Sequence, residues 1–117
     1  MTKRVLVVED DAVLGLDTVQ QLTDAGFDVI GPAVSVAKAL RLISETGCDV
    51  AVLDVNLGSE TTESVARELR ARGIPFVVVS GYSSEQHPAG FRGAPTLSKP
   101  AYPEDLVALV AKCLDDV

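Results

Sequence analysis

The sequence predicts a doubly wound α/β sandwich, in which helices cover both faces of a parallel β-sheet. Residues 5–8, 50–53 and 76–79 are short apolar runs, typical of strands buried on both faces of such a sheet. Longer segments with helical spacing alternate with strand-like runs, and the alternation occurs five times in 117 residues. We therefore expect a (βα)5 architecture in one domain spanning residues 1–117, with an irregular fourth helix.

The remaining strands and the first two helices follow from weaker signals. Residues 27–30 and 94–97 are the other strand candidates. Ser35 is suited to cap the second helix, because its hydroxyl can accept a bond from a free N–H group of the first turn. The first helix is expected to end at Gly26 and to bury an apolar stripe of Ala12, Leu16, Val19, Leu22 and Ala25. The second helix is expected to bury Val36, Leu40 and Ile43.

The last two regular helices are predicted from apolar spacing and charge pairs. One covers about residues 60–72, stops at Gly73, and turns Thr62, Val65 and Leu69 inward. Its outer face carries oppositely charged residues four positions apart, Glu63 with Arg67 and Glu68 with Arg72. The final helix begins at Pro103 and buries Leu106, Leu109, Val110 and Cys113. Between these helices, residues 83–93 are interrupted by Pro88, Gly90 and Gly93 and predict a loop with at most a short helix.

The composition excludes several classes of partner. Seventeen acidic and ten basic residues give a net charge of −7, which would repel nucleic-acid phosphates. No apolar run is long enough for a membrane span, and no signal peptide is present, so we expect a cytoplasmic protein. Cys48 and Cys113 have no metal-like spacing and are expected to be packed, reduced thiols.

Polar residues follow the apolar runs where a sheet of this kind places its chemistry, at the carboxyl ends of its strands. They are Glu9, Asp10, Asp11, Asp54, Ser80 and Lys99. Carboxylates gathered at one edge repel one another unless a cation neutralises them, and oxygen ligands without His or Cys favour Mg²⁺. Two structural alternatives stay open: residues 9–11 could cap a helix, and Asp54 could equally cap a helix or belong to a turn.

This ordered set resembles the receiver domain of two-component response regulators. The resemblance implies a flavodoxin-like sheet of strand order 2-1-3-4-5. It implies Asp54 as phosphoacceptor, with Lys99 and Ser80 as the other catalytic residues. Backbone groups of Asn56 and Gly81 would bind the phosphoryl oxygens. The implied Mg²⁺ ligands are Glu9, Asp10, Asp54 and the carbonyl of Asn56.

One position departs from that pattern. Receivers usually carry an aromatic switch residue three positions before the Lys, and here Thr96 stands there. Pro75-Phe76, Ser80-Gly81-Tyr82 and Lys99-Pro100 instead resemble a receiver subclass named for a Phe-Ala-Thr-Gly motif, many members of which are stand-alone receivers. Tyr82 could control the access of water to the phosphoryl group or pack as a half-buried aromatic.

The function implied is Mg²⁺-dependent acceptance of a phosphoryl group from a sensor histidine kinase or a histidine phosphotransfer protein, followed by a change of surface for protein-protein signalling. The chain would catalyse only its own phosphorylation and dephosphorylation. A phosphate sink, docking on a downstream effector and homodimerisation are equally open as outputs.

Three rival functions use related features. A flavodoxin-like cofactor site would need a phosphate-binding loop, but residues 9–12 are acidic. A phosphatase would need a second acidic residue at position 56, which is Asn. A phosphorylation-independent interaction module would have no need of a complete acidic site.

Overall fold

The five predicted strands form one parallel sheet in the computed structural model, which describes residues 2–57, 60–80, 89–91, 93–98 and 102–115. The strands are β1 (Arg4–Val8), β2 (Asp28–Ala33), β3 (Val50–Asp54), β4 (Phe76–Ser80) and β5 (Thr96–Ser98). Every neighbouring pair is parallel, and the order across the sheet is β2-β1-β3-β4-β5. This is the predicted order 2-1-3-4-5, and the α/β fold class is confirmed.

Within the described residues, four α-helices connect or follow the strands. They are α1 (Ala12–Asp24), α2 (Val36–Glu45), α3 (Glu63–Ala71) and α4 (Pro103–Asp115). The hydroxyl of Ser35 accepts a bond from the N–H of Lys38 at 3.2 Å, so the predicted cap of α2 is confirmed. The described part of the irregular segment contains a three-residue 3₁₀ turn, Ala89–Phe91.

Alternate strand residues build two separate cores, one on each face of the sheet. On β1, Leu6 and Val8 face the cluster with α2 and α3, whereas Val5 and Val7 face the cluster with α1 and α4. The first cluster also contains Ile43, Leu53, Val65, Leu69, Val78 and Phe91, and the second contains Leu22, Val52, Val77, Leu106, Val110 and Cys113. Two buried layers on a parallel sheet explain why the three central strands, β1, β3 and β4, carry continuous apolar runs.

The predicted buried stripe of α1 is wrong in part. Leu16 is 60% exposed, and Ala12 and Ala25 are exposed as well. Leu22 is buried and Val19 packs against the core, as predicted, and Gly15 is buried as well. A Cβ atom at residue 15 would lie 2.8 Å from Cβ of Pro32, so the absence of a side chain there lets α1 approach β2 closely. The helix therefore packs along one side of the predicted stripe, with Leu22 and Val19 toward the core and Ala12, Leu16 and Ala25 outside the contact.

The third helix begins later than the predicted residue 60. Asn56–Leu57 and Glu60–Thr61 pair as a short antiparallel ladder directly after β3, and α3 starts at Glu63. The two predicted ion pairs are present on its outer face, at 3.3 Å for Glu63 with Arg67 and 2.7 Å for Glu68 with Arg72.

Cys48 packs against the α2–α3 core, and Cys113 lies in the α1–α4 core on the opposite face of the sheet. Neither of these two cysteines is in a disulfide. Burial, with a smaller contribution from Asp49, raises the pKa of the Cys48 thiol from 9.0 to about 11.

The Cys48 thiol is therefore expected to react slowly with iodoacetamide near pH 8, because the reactive thiolate is scarce there. Since the folded-state pKa is the higher one, this thiol stabilises the fold fully below pH 9, and that contribution is lost as the pH rises toward about 11. Alkylation rates of wild-type protein and of Cys113→Ala, compared with free cysteine, check the prediction. A Cys48 rate equal to that of free cysteine at pH 8 would contradict it.

Candidate functional site

Three carboxylates meet at the carboxyl edge of the sheet. Val8 of β1 is paired with Leu53 of β3, so the residues that follow, Glu9 and Asp54, emerge side by side. Together with Asp10 they offer ligand oxygens that all lie within 4.8 Å of one another. Glu9 and Asp54 are 45 positions apart in sequence and are neighbours here because the carboxyl ends of parallel strands lie at the same edge of the sheet.

The three carboxylates differ in exposure. Glu9 and Asp54 are each only 8% exposed, whereas Asp10 faces solvent. The backbone of Glu9 is fixed by a 3.0 Å bond from its N–H to the carbonyl of Ala33, and its carboxylate accepts a bond from the N–H of Asp11 at 3.2 Å. The result is an acidic pocket in which the Glu9 and Asp54 side chains are buried and the Asp10 side chain lies at the solvent-exposed edge.

Asp11 has a structural role that separates it from its two acidic neighbours. Its Oδ1 accepts bonds from the N–H groups of Val13 at 2.9 Å and Leu14 at 3.1 Å, which makes it the N-cap of α1. The helix-cap alternative therefore holds for Asp11, and Glu9 and Asp10 are the pair that joins Asp54.

Ser80 ends β4 at the same edge of the sheet. It is 1% exposed and is paired with Ser98 of β5, the residue directly before Lys99. Asn56 lies two residues after Asp54, with its backbone in the short ladder. The predicted site residues Gly81, Tyr82 and Lys99 lie outside the described residues.

Thr62 is a site residue that the apolar pattern did not identify. Its hydroxyl donates to the backbone carbonyl of Asp54 at 2.7 Å and makes a longer contact of 3.3 Å with that of Val55. The side chain is fully buried and makes no cap bond to α3. Thr62 thus ties the start of α3 to the end of β3, which fixes the peptide that carries the Asp54 side chain.

A groove between α1 and α4 opens beside the acidic pocket. Its volume is about 390 Å³, and Val7, Val52 and Leu106 contribute to an apolar floor. Glu9 and Asp54 line the same groove. The Asp54 carboxylate, although mostly buried, therefore adjoins a space that a small group can enter.

The donor set suits a hard divalent cation. Glu9, Asp10 and Asp54 supply only oxygen atoms, and such ligands favour Mg²⁺ or Ca²⁺ over softer metals. Three neighbouring carboxylates also repel one another, and a divalent charge between them would offset that repulsion.

Comparisons with known proteins identify the family of this chain. The model of the response regulator receiver domain matches residues 5–111. The transcriptional regulatory protein PrrA of Mycobacterium leprae is 37% identical over 116 residues, covering 95% of this chain and 49% of its own length. The regulatory protein VirG of Agrobacterium tumefaciens is 35% identical over 85 residues, covering 72% of this chain and 32% of its own.

A solved structure shows the same fold over nearly the whole chain. A CheY-like response regulator receiver domain protein from Methanospirillum hungatei superposes with a TM-score of 0.90 at 26% identity, covering 99% of this chain and 96% of that one. The chain spans between about a third and a half of the curated relatives named above. No helix in the described ranges has the length and apolar character that crossing a bilayer requires. With the family model matched over most of its length, the chain belongs to the response regulator receiver domain family.

Proposed function

We propose that this receiver accepts a phosphoryl group on Asp54 from a sensor histidine kinase or a histidine phosphotransfer protein, and that its surface then changes for protein-protein signalling. The observation that carries the proposal is the meeting of a mostly buried Asp54 with Glu9 and Asp10 at the carboxyl edge of the sheet. A carboxylate beside the core brings no packing gain, which favours a chemical role.

In the proposed reaction, an Asp54 oxygen attacks the phosphorus atom of the donor in line with the bond that breaks. A new O–P bond forms, the bond to the donor nitrogen breaks, and the donor leaves with its electron pair. Lys99 and the backbone N–H groups of residues 56 and 81 are assigned to the phosphoryl oxygens, where they offset negative charge. Hydrolysis by water later returns Asp54 to its free form.

Glu9, Asp10, Asp54 and the Asn56 carbonyl are the proposed ligands of Mg²⁺. When bound, the ion supplies positive charge that offsets the charge of the phosphoryl oxygens. The chain's part is to hold the oxygen ligands together, and the bonds that fix Glu9 and the Asp54 peptide do this in advance.

Ser80 is the proposed switch hydroxyl. It is already 1% exposed and ends β4 at the same edge of the sheet as Asp54, so contact with a phosphoryl group requires no entry from solvent. Position 96 on β5, where receivers usually carry an aromatic switch residue, is Thr96, whose hydroxyl donates to the carbonyl of Ala94 at 3.2 Å. The switch therefore works without an aromatic residue at position 96, and Tyr82 is proposed to control access of water.

Removal of one acidic ligand should change the response to Mg²⁺. Without metal, Asp10→Asn is expected to raise the melting temperature, because it relieves repulsion among the three carboxylates. The same variant should lose most of the Mg²⁺-induced stabilisation, which for one site amounts to about 2.7 kcal/mol at 100 times the Kd. Thermal unfolding with Mg²⁺ or EDTA measures both effects.

Asp24→Asn serves as the control, because Asp24 is exposed at the far end of α1. It should keep the wild-type response to Mg²⁺. An equal Mg²⁺ shift in Asp10→Asn and wild type would rule out Asp10 as a ligand.

Binding of beryllofluoride, an analogue of the phosphoryl group, tests the proposed function itself. We expect chemical-shift changes at Asp54, Ser80 and their strand neighbours that require both Mg²⁺ and beryllofluoride. A spectrum that does not change would support the rival interpretation, a receiver fold used as a phosphorylation-independent interaction module. If the expected changes are seen, profiling phosphotransfer against the histidine kinases of the same cell would identify the donor.

A further inference from the structure

Two side chains of α3 hold Gly90 through both polar groups of its backbone. The N–H of Gly90 donates to Oε2 of Glu63 at 2.9 Å, and Nε of Arg70 donates to the Gly90 carbonyl at 3.1 Å. A Cβ atom at residue 90 would lie 2.7 Å from Cγ of Glu63, so this approach depends on glycine. The 3₁₀ turn is thus bound to the first and last turns of α3.

The residue before Glu63 is bound to a different segment. Thr62 donates its hydroxyl to the backbone carbonyl of Asp54 at 2.7 Å, and its N–H donates to the carbonyl of Val55 at 2.9 Å. Two adjacent residues therefore connect two distant parts of the fold. Thr62 holds the end of β3, and Glu63 holds the turn at residues 89–91.

The hydrogen bond from Gly90 to Glu63 is charge-assisted, and the residue next to Gly90 is packed in the core. The Gly90 amide, with a smaller contribution from Arg67, holds the pKa of the Glu63 carboxyl below its usual value of 4.5. The Glu63 side chain is 26% exposed, so solvent screens this bond only in part. Phe91, next to Gly90, is 2% exposed and lies in the same core cluster as Val55 and Val65.

We propose that Thr62 and Glu63 are a positioning pair that carries a change at Asp54 to the 89–91 turn. The inference rests on the proposed function, because it requires Asp54 to change its chemical state. It adds a second route to the one through Ser80. Ser80 directly precedes residues 81–88 and the turn directly follows them, so both flanks of that stretch are tied to elements that carry the site.

Amide hydrogen exchange and chemical shifts of Gly90 in the full chain test this pair. The informative variants are Glu63→Ala, which removes the acceptor of the Gly90 N–H, and Thr62→Val, which removes the hydroxyl but keeps the shape. Thr62→Ser restores the hydroxyl. Glu68→Ala is the matched control, because Glu68 is also an α3 carboxylate paired with an Arg but its pair lies at residue 72.

In Glu63→Ala the Gly90 amide should exchange about tenfold faster than in wild type, since a charge-assisted bond is lost. In Thr62→Val the Gly90 amide should also exchange faster, and its shift on addition of Mg²⁺ and beryllofluoride should fall to less than about half the wild-type change. Thr62→Ser and Glu68→Ala should match wild type in both measurements. Phosphoryl labelling of Asp54 should persist in Glu63→Ala.

An unchanged Gly90 exchange rate in Glu63→Ala would overturn the proposal, as would a wild-type beryllofluoride response in Thr62→Val. Failure of the proposed function gives a different result. In that case beryllofluoride shifts no resonance of the wild-type chain. Faster exchange of the Gly90 amide in Thr62→Val would then still support the physical link between β3 and the turn.

Discussion

Asp54→Asn should reduce phosphorylation by acetyl phosphate or by a histidine kinase to background. The amide nitrogen and oxygen of Asn are poor nucleophiles, so no O–P bond forms at this position. The substitution preserves the size of the side chain and leaves the Asp54 backbone carbonyl available to the Thr62 hydroxyl. The fold should therefore survive, and the loss should reflect chemistry alone. Radiolabel incorporation per folded chain, with circular dichroism to confirm folding, measures the effect.

Asp28→Asn is the matched control for this experiment. Asp28 begins β2 at the amino end of the strand, remote from the acidic pocket at the carboxyl edge of the sheet. Its Oδ2 lies 4.0 Å from Nε of Arg4. Asp28→Asn should be labelled as wild type is. Stoichiometric labelling of Asp54→Asn would show that another residue accepts the phosphoryl group and would refute the assignment of Asp54.

Leu53→Ala should lower the free energy of unfolding by about 3 kcal/mol, because it removes a fully buried side chain from the central strand. Leu53 lies in the core between the sheet and helices α2 and α3, and truncation in such a closely packed interior leaves a cavity. Urea unfolding followed by circular dichroism gives the difference from wild type.

Leu16→Ala provides a control with the same chemical change at a surface position. Leu16 is 60% exposed on α1, so its truncation should change the free energy of unfolding by no more than about 0.5 kcal/mol. If Leu16→Ala proves as costly as Leu53→Ala, Leu16 must be buried, as the apolar stripe predicts, and α1 cannot approach β2 through Gly15 as the structure shows.

The sheet could be predicted from the sequence because its three central strands are buried on both faces and so leave continuous apolar runs. The buried face of α1 could be predicted only in part, since the helix approaches β2 through Gly15, a residue that contributes nothing to an apolar count. The late start of α3 was missed for a related reason. The pairing of residues 56–57 with 60–61 depends on backbone bonds and leaves no apolar signature.

The site could be predicted in outline because parallel strands end at one edge, which places Glu9, Asp10 and Asp54 together. Adjacent acidic residues, however, look alike in sequence, and only the bonds to Val13 and Leu14 identify Asp11 as the cap. Thr62 was assigned to the inner face of a helix, which is correct for burial. Its bond to the Asp54 carbonyl is a long-range contact that no local spacing reveals.

Direct identification of the phosphorylated residue is the most stringent measurement. The wild-type chain, phosphorylated in the presence of Mg²⁺, can be reduced with borohydride, which converts an aspartyl phosphate into a stable alcohol, and then mapped by peptide mass spectrometry. We predict that the modified residue is Asp54 and that EDTA prevents the modification. Modification at Glu9 or Asp10 in place of Asp54, or none at all under conditions in which a known receiver is labelled, would contradict the account.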